Sequence, residues 1–222
     1  MKSLWVTSWP AITPSANNCS LAVQQSFPFG GELLSGDGSA LLFPEFLSEE
    51  HADNAFKELL RSHSWEQQTL HMYGSFVDEP RLSSWHSDGQ TYSYSGRART
   101  AQPWTPLLLD IRRQCEKETN HTFNGVLVNY YRDGNDHLGW HSDDEAINGS
   151  EPLIASISLG AERRFDMRHR ESGEVVSTPL RHGSLLVMSG LSQRCWEHRI
   201  PKISGLADAR INLTYRRLLA DA

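Results

Sequence analysis

Arg210-Ile211-Asn212-Leu213-Thr214-Tyr215-Arg216 alternates polar and apolar residues without a break. Side chains two apart on an extended chain project to the same side, so this run predicts a strand with Arg210, Asn212, Thr214 and Arg216 on one face and Ile211, Leu213 and Tyr215 on the other. The polar face either meets solvent at a sheet edge or lines a site. If it turns inward, its two arginines need anionic partners, because a buried unpaired guanidinium is very costly.

Upstream of this strand stands His198, and 55 residues before it Asp143 closes the triplet His141-Ser142-Asp143. On a strand His141 and Asp143 point one way and Ser142 the other. A His-x-Asp pair alone is also a common surface or core arrangement. With a distant histidine and an arginine strand it supplies three ligands to one face of an octahedral ion and leaves three positions for a co-substrate and dioxygen, the ligand set of non-haem Fe(II) oxygenases. A dicarboxylate co-substrate would satisfy an inward arginine, which can grip a far carboxylate by paired charge-assisted hydrogen bonds. Asn129 and Tyr131, also two apart, offer hydrogen bonds to the same ligand.

The rest of the second half reads as β structure. Short runs at 123–131, 153–159, 163–168, 174–180, 184–188 and 195–200 are separated by turn residues, a spacing that predicts a sandwich or jelly roll. The ligand positions fit a double-stranded β-helix of the cupin type, mostly β with flanking helices. One helix is predicted after Ser48, with Ala52, Ala55, Phe56, Leu59 and Leu60 on its apolar side, and a second from about Pro106 to Glu118. Residues 1–40, rich in Ser, Asn, Gly and Pro, are expected to form a loosely ordered extension, and 41–222 a single catalytic domain. Within it, 73–100 is expected to be a lid, 85–100 forming a loop or hairpin over the site, and Phe76 is expected in the core.

Composition narrows the partners. The net charge of -6 argues against a simple nucleic-acid binder. Residues 1–80 hold three of the 21 basic and ten of the 27 acidic residues, which leaves the remainder close to neutral and arginine-rich. Clusters such as Arg163/Arg164/Arg168/Arg170 could meet phosphates or be solvated strand edges. Cys19, Cys115 and Cys195 are odd in number and widely spaced, which points to a reducing, cytoplasmic setting rather than a disulfide framework. No stretch is long and apolar enough to suggest a membrane span; a monomer is the expectation, although with no heptad or obvious apolar patch the sequence is silent on assembly.

The segment from Asn129 to Glu145, containing Asn129-Tyr130-Tyr131-Arg132-Asp133-Gly134 and Trp140-His141-Ser142-Asp143-Asp144-Glu145, resembles the AlkB family of 2-oxoglutarate- and Fe(II)-dependent dioxygenases, as do Ile154 to Ala161 and Arg210 to Arg216. The likeness runs from about Phe43 to the C-terminus. It implies that His141, Asp143 and His198 hold Fe(II), and that Asn129, Tyr131, Arg210, Asn212, Thr214 and Arg216 hold 2-oxoglutarate, with dioxygen as the other co-substrate. Pro80-Arg81-Leu82-Ser83-Ser84-Trp85 and Tyr92 to Gly96 resemble the nucleotide-recognition lid of the branch that repairs alkylated DNA and RNA. Arg81, Trp85, His86, Asp144 and Glu145 would then contact substrate. Trp85 and His86 would lie against an extruded base, unless Trp85 simply packs the lid, and Asp144 or Glu145 would face a cationic ring such as 1-methyladenine or 3-methylcytosine. The implied reaction is oxidative demethylation of the base with release of formaldehyde. Relatives usually carry Tyr where this chain has His86, which leaves base preference open, and the absence of an evident wedge favours single-stranded substrates. Other readings are a 2-oxoglutarate dioxygenase acting on tRNA, protein or a small molecule, or a silent β-helix that only binds metal or a partner.

Overall fold

The computed structural model describes residues 25–219 except 27–29, 73–74, 90–91, 95–96 and 206. Two facing sheets dominate it. The larger runs Gly31–Glu32, Ser39–Phe43, Ser184–Ser189, Ile154–Gly160, Arg210–Arg216, Gly125–Tyr131, Ser75–Ser87 and Glu66–Met72 in spatial order, all antiparallel. The smaller runs Gln25–Ser26, Val175–Leu180, Arg163–His169, Trp196–Ile200 and Leu138–His141, antiparallel except at Gln25–Ser26. This is the expected jelly roll, mostly β with flanking helices.

Alternation decides what each face buries. Ile211, Leu213 and Tyr215 turn outward from the sandwich and pack, with Val126, Val128 and Ile157, beneath Leu59 of the helix Glu49–Ser62 and Leu108, Ile111 and Cys115 of Pro106–Thr119. Ser48 and Thr105 cap these helices by accepting from the backbone N–H groups of His51 and Leu108. The opposite face of the large sheet meets the small one through Tyr131, Ile154, Leu186 and Met188 against Phe165, Met167, Val176 and Trp196. The polar side of Arg210–Arg216 therefore faces the gap between the sheets.

Three expectations need correction. Residues 31–40 are built into the fold rather than loosely ordered: Glu32 accepts from the backbone N–H groups of Leu34 and Ala40 and from the Ser39 hydroxyl, while Leu33 and Leu34 are buried. A glycine- and serine-rich composition concealed a tight hairpin closed by one carboxylate. Residues 1–24 of the expected extension lie outside the described residues. Secondly, most of 75–87 is regular strand, paired with Gly125–Tyr131 over Leu82–Ser87; the buried serines 83, 84 and 87 hid its period. The expected hairpin is confined to Tyr92–Tyr94 and Arg97–Arg99. Thirdly, Phe76 is 71% exposed and not part of the core. It lies on the strand that follows Tyr73 and Gly74, which are outside the described residues.

Candidate metal centre and co-substrate pocket

His141 and His198 are direct cross-strand partners in the small sheet, with ring centroids 4.2 Å apart. Asp143 follows two residues past the strand end, so alternation returns it to the same side. One donor atom from each of the three lies within 4.8 Å of the other two. The Nδ1 of His141 lies 2.9 Å from the Gly139 carbonyl, an arrangement that makes Nδ1 the protonated nitrogen and Nε2 the available ligand atom. Burial holds His141 below the ordinary histidine range. Burial, reinforced by His141, pulls His198 down to about 3. Both rings are neutral at neutral pH, as ligation requires. Burial alone would raise the Asp143 carboxyl, but Arg216, then His198 and His141, hold it below the usual carboxylate range. The Nη2 of Arg216 donates to its Oδ1 at 2.7 Å.

The triad opens onto a pocket between the sheets whose large-sheet wall carries Asn129, Tyr131, Arg210, Asn212, Thr214 and Arg216. The structure thus brings all nine residues expected at the metal and co-substrate together, but their roles differ. Arg210 is 1% exposed. Its Nη2 donates to Ser158 Oγ and its guanidinium lies over the Tyr131 ring, yet Nε and Nη1 are buried with no hydrogen-bond partner among the described residues. Burial lowers Arg210 to about 10, which leaves it cationic at neutral pH. A buried cation with two unused donors fits one carboxylate of a dicarboxylate. Fe(II) and 2-oxoglutarate therefore suit the residues present. Asn129 Oδ1 accepts from Arg81 Nε at 3.0 Å, which leaves its amide nitrogen for a ligand. Asn212 and Thr214 are largely engaged within the protein: Thr214 Oγ1 donates to Asn212 Oδ1, and Asn212 Nδ2 donates to Ser156 Oγ and the Ile157 carbonyl.

The expected substrate residues scatter. Arg81 lines the cavity, held by a buried ion pair with Glu79 at 3.0 Å. Trp85 is on the cavity-facing side of its strand, opposite Leu127, but it is buried against Leu127 and Leu218 and does not line the cavity. His86, next along the same strand, must face the other way. It lies on the helix side, its Nδ1 2.7 Å from the Pro103 carbonyl and its Nε2 3.3 Å from both Ser84 Oγ and His63 Nε2. Trp85 and His86 therefore cannot stack on one base. Asp144 is paired with Arg170 and lines a neighbouring groove; Glu145 accepts from Asn148 Nδ2.

Sequence reasoning missed Gln193, and it grouped Arg163 with arginines that meet phosphates or solvent, whereas Arg163 is buried. Arg163, buried beneath the Tyr131 ring, donates to the carbonyls of Asp133, Asp136 and Pro201 and so ties the turn before His141 to the chain after His198. Gln193 accepts from the backbone N–H of Asp143 at 2.9 Å. Neither belongs to a local pattern; only the fold places them.

Among jelly rolls, a facial triad beside a buried, carboxylate-seeking arginine defines the Fe(II)- and 2-oxoglutarate-dependent dioxygenases as a class. The sequence profile of the 2OG-Fe(II) oxygenase superfamily matches residues 39–216. Over 197 residues the chain is 39% identical to alpha-ketoglutarate-dependent dioxygenase alkB homolog 3 of Bos taurus, spanning 84% of this chain and 68% of that one. It is 36% identical over 204 residues to DNA oxidative demethylase ALKBH2 of Mus musculus, spanning 84% and 83%. The solved structure of OsALKBH1 shares the fold, with a TM-score of 0.56 at 17% identity over 80% of this chain and 97% of that one. The chain belongs to the AlkB family of 2-oxoglutarate- and Fe(II)-dependent dioxygenases.

Proposed function

We propose that this enzyme oxidatively demethylates N-alkylated bases, such as 1-methyladenine and 3-methylcytosine, in DNA or RNA. The observation that carries the reading is the similarity to proteins named as an alkB homolog and a DNA oxidative demethylase over 84% of the chain. His141, Asp143 and His198 would hold the metal, Arg210 the far carboxylate of 2-oxoglutarate, and the amide of Asn129 another of its oxygens. When bound, Fe(II) with 2-oxoglutarate and dioxygen supplies the oxidation that hydroxylates the methyl group, 2-oxoglutarate leaving as succinate and carbon dioxide. The chain's own contribution is orientation. The Arg216–Asp143 pair fixes the carboxylate ligand, and Arg81, set by Glu79 and Asn129, faces the cavity where a base extruded from its stack would enter.

Exposure of Phe76 removes one ground for preferring single strands, since an exposed aromatic is able to part a base step. The reading takes the enzyme as a monomer in a reducing, cytoplasmic compartment, in keeping with the free thiols of Cys115 and Cys195; no helix among the described residues is long and apolar enough to cross a membrane.

The test is mass spectrometry of single- and double-stranded oligonucleotides carrying one 1-methyladenine or 3-methylcytosine, incubated with enzyme, Fe(II), ascorbate and 2-oxoglutarate beside a His141→Ala control. Loss of one methyl mass that needs 2-oxoglutarate and His141 is expected. Succinate production with every oligonucleotide unchanged would sink the substrate assignment while leaving the oxygenase centre intact.

A further inference from the structure

Asp143 lies beyond the end of Leu138–His141, so its main chain has no strand ladder to hold it. Buried backbone groups need partners, and here side chains provide them. Gln193 Oε1 accepts from the Asp143 N–H at 2.9 Å, and Asn148 Nδ2 reaches the Asp143 carbonyl at 3.3 Å. Ser142 Oγ, next in the chain, donates to the Trp196 carbonyl at 2.9 Å. Gln193 and Asn148 are themselves buried, at 1% and 4% exposure, and each is oriented by a second contact. Gln193 Nε2 lies 3.3 Å from Ser192 Oγ and 3.5 Å from Met188 Sδ, and Asn148 Nδ2 also donates to Glu145 at 2.8 Å. The Arg216 contact fixes one carboxylate oxygen but not the backbone from which the side chain swings.

We infer that Gln193, together with Asn148 on the Asp143 carbonyl, is a positioning residue for the metal-binding carboxylate, replacing the missing strand ladder so that Asp143 is already aimed before the metal arrives. This rests on the assignment of Asp143 as a metal ligand. Gln193 is carried on the short helix Ser192–Cys195, and a side chain at Gly38, whose φ is +123°, would collide with the backbone of Ser192. The N-terminal hairpin and the helix are therefore packed backbone to backbone, and the hairpin backs the residue that aims the ligand. Contacts behind metal ligands typically change affinity by about 10–100-fold.

The experiment is a titration of the full chain with Mn(II), followed by electron paramagnetic resonance of the free ion, for wild type, Gln193→Met, Gln193→Glu, Asn148→Ala and His141→Ala. Methionine keeps the volume of glutamine and removes the acceptor; glutamate keeps it. Affinity in Gln193→Met is expected to fall about tenfold or more, with the melting midpoint of the metal-free protein little changed, most of the affinity recovered in Gln193→Glu, and a smaller loss in Asn148→Ala. Binding within twofold of wild type in Gln193→Met, beside clear loss in His141→Ala, would overturn the positioning role alone. Should Gln193→Met not fold, wild-type affinity in Asn148→Ala would overturn it equally. Unaltered binding in His141→Ala would instead overturn the metal assignment on which it stands.

Discussion

At the scale of the residue, the two arginines of the closing strand look equivalent in sequence and are opposite in role. Arg216 is already ion-paired with Asp143, whereas Arg210, among the described residues, meets only the Ser158 hydroxyl and the Tyr131 ring and no carboxylate. Substituting methionine should separate them. In Arg210→Met, 2-oxoglutarate affinity should fall by about two orders of magnitude, the loss usual for a truncated charge pair, with Mn(II) binding unchanged; isothermal titration of each ligand reads both. Arg216→Met strands a buried carboxylate, so the metal-free protein should lose about 3–5 kcal/mol in urea unfolding. Equal loss of 2-oxoglutarate binding in the two variants, with no difference in folding, would remove this division of labour. The sequence showed that both arginines share a face, because alternation is a local property. It could not show which carboxylate each meets, because Asp143 is 73 residues away from Arg216 and only the fold brings them together.

At the scale of the element, alternation also corrects the reading of Trp85 and His86, which motif likeness treated as one recognition unit. Neighbours on a strand serve opposite faces, and here the tryptophan backs the cavity side while the histidine joins a His63–Ser84–His86 cluster under the helices. His63 is drawn down from 6.5 to about 4, first by burial and then by His86. Between those two pH values the unfolded chain binds a proton that the folded chain refuses, so stability falls as pH drops from 6.5 to 4 and the loss is complete below 4. The melting temperature of wild type should therefore decline more steeply over that window than that of His63→Gln; parallel curves would show that the histidine does not couple to folding. The same strand explains Gly125. A Cβ there would strike the Trp85 ring, so Gly125→Ala should destabilise by about 1–3 kcal/mol in urea unfolding, as overpacked cores do, although glycine is intrinsically a poor strand residue.

At the scale of the whole molecule, the two sheets are held apart by an apolar layer and open onto a polar one, and the co-substrate pocket occupies the polar layer. Its large-sheet wall comes from Gly125–Tyr131, Ile154–Gly160 and Arg210–Arg216, and the facing metal ligands come from the small sheet and the chain just past its edge. The jelly roll was legible from the β period of residues 123–217, and Leu41-Leu42-Phe43 reads as a short strand, but the first arm of the hairpin at 31–40 and the long strand at 75–87 were not legible. The hairpin buries only Leu33, Leu34 and Ala40 among exposed or half-exposed serines and glycines, and the strand buries serines 83, 84 and 87 where an apolar pattern would show. A site spanning both sheets couples ligand binding to their packing. Metal bound to His141, Asp143 and His198 pins the small sheet, and a dicarboxylate reaching Arg210 bridges it to the large one. A ligand present at 100 times its dissociation constant stabilises the folded state by about 2.7 kcal/mol, a rise of roughly 5–10 °C in melting temperature for a domain of this size. Mn(II) and 2-oxoglutarate together should produce such a rise in wild type and, when each is also added alone, show cooperation: 2-oxoglutarate without metal should give only a small shift, because the chelating end then has no partner. In Arg210→Met the metal shift should persist and the additional shift from 2-oxoglutarate should vanish. A full 2-oxoglutarate shift in Arg210→Met would mean that the dicarboxylate is held elsewhere, and the unused donors of Arg210 would then need another anion.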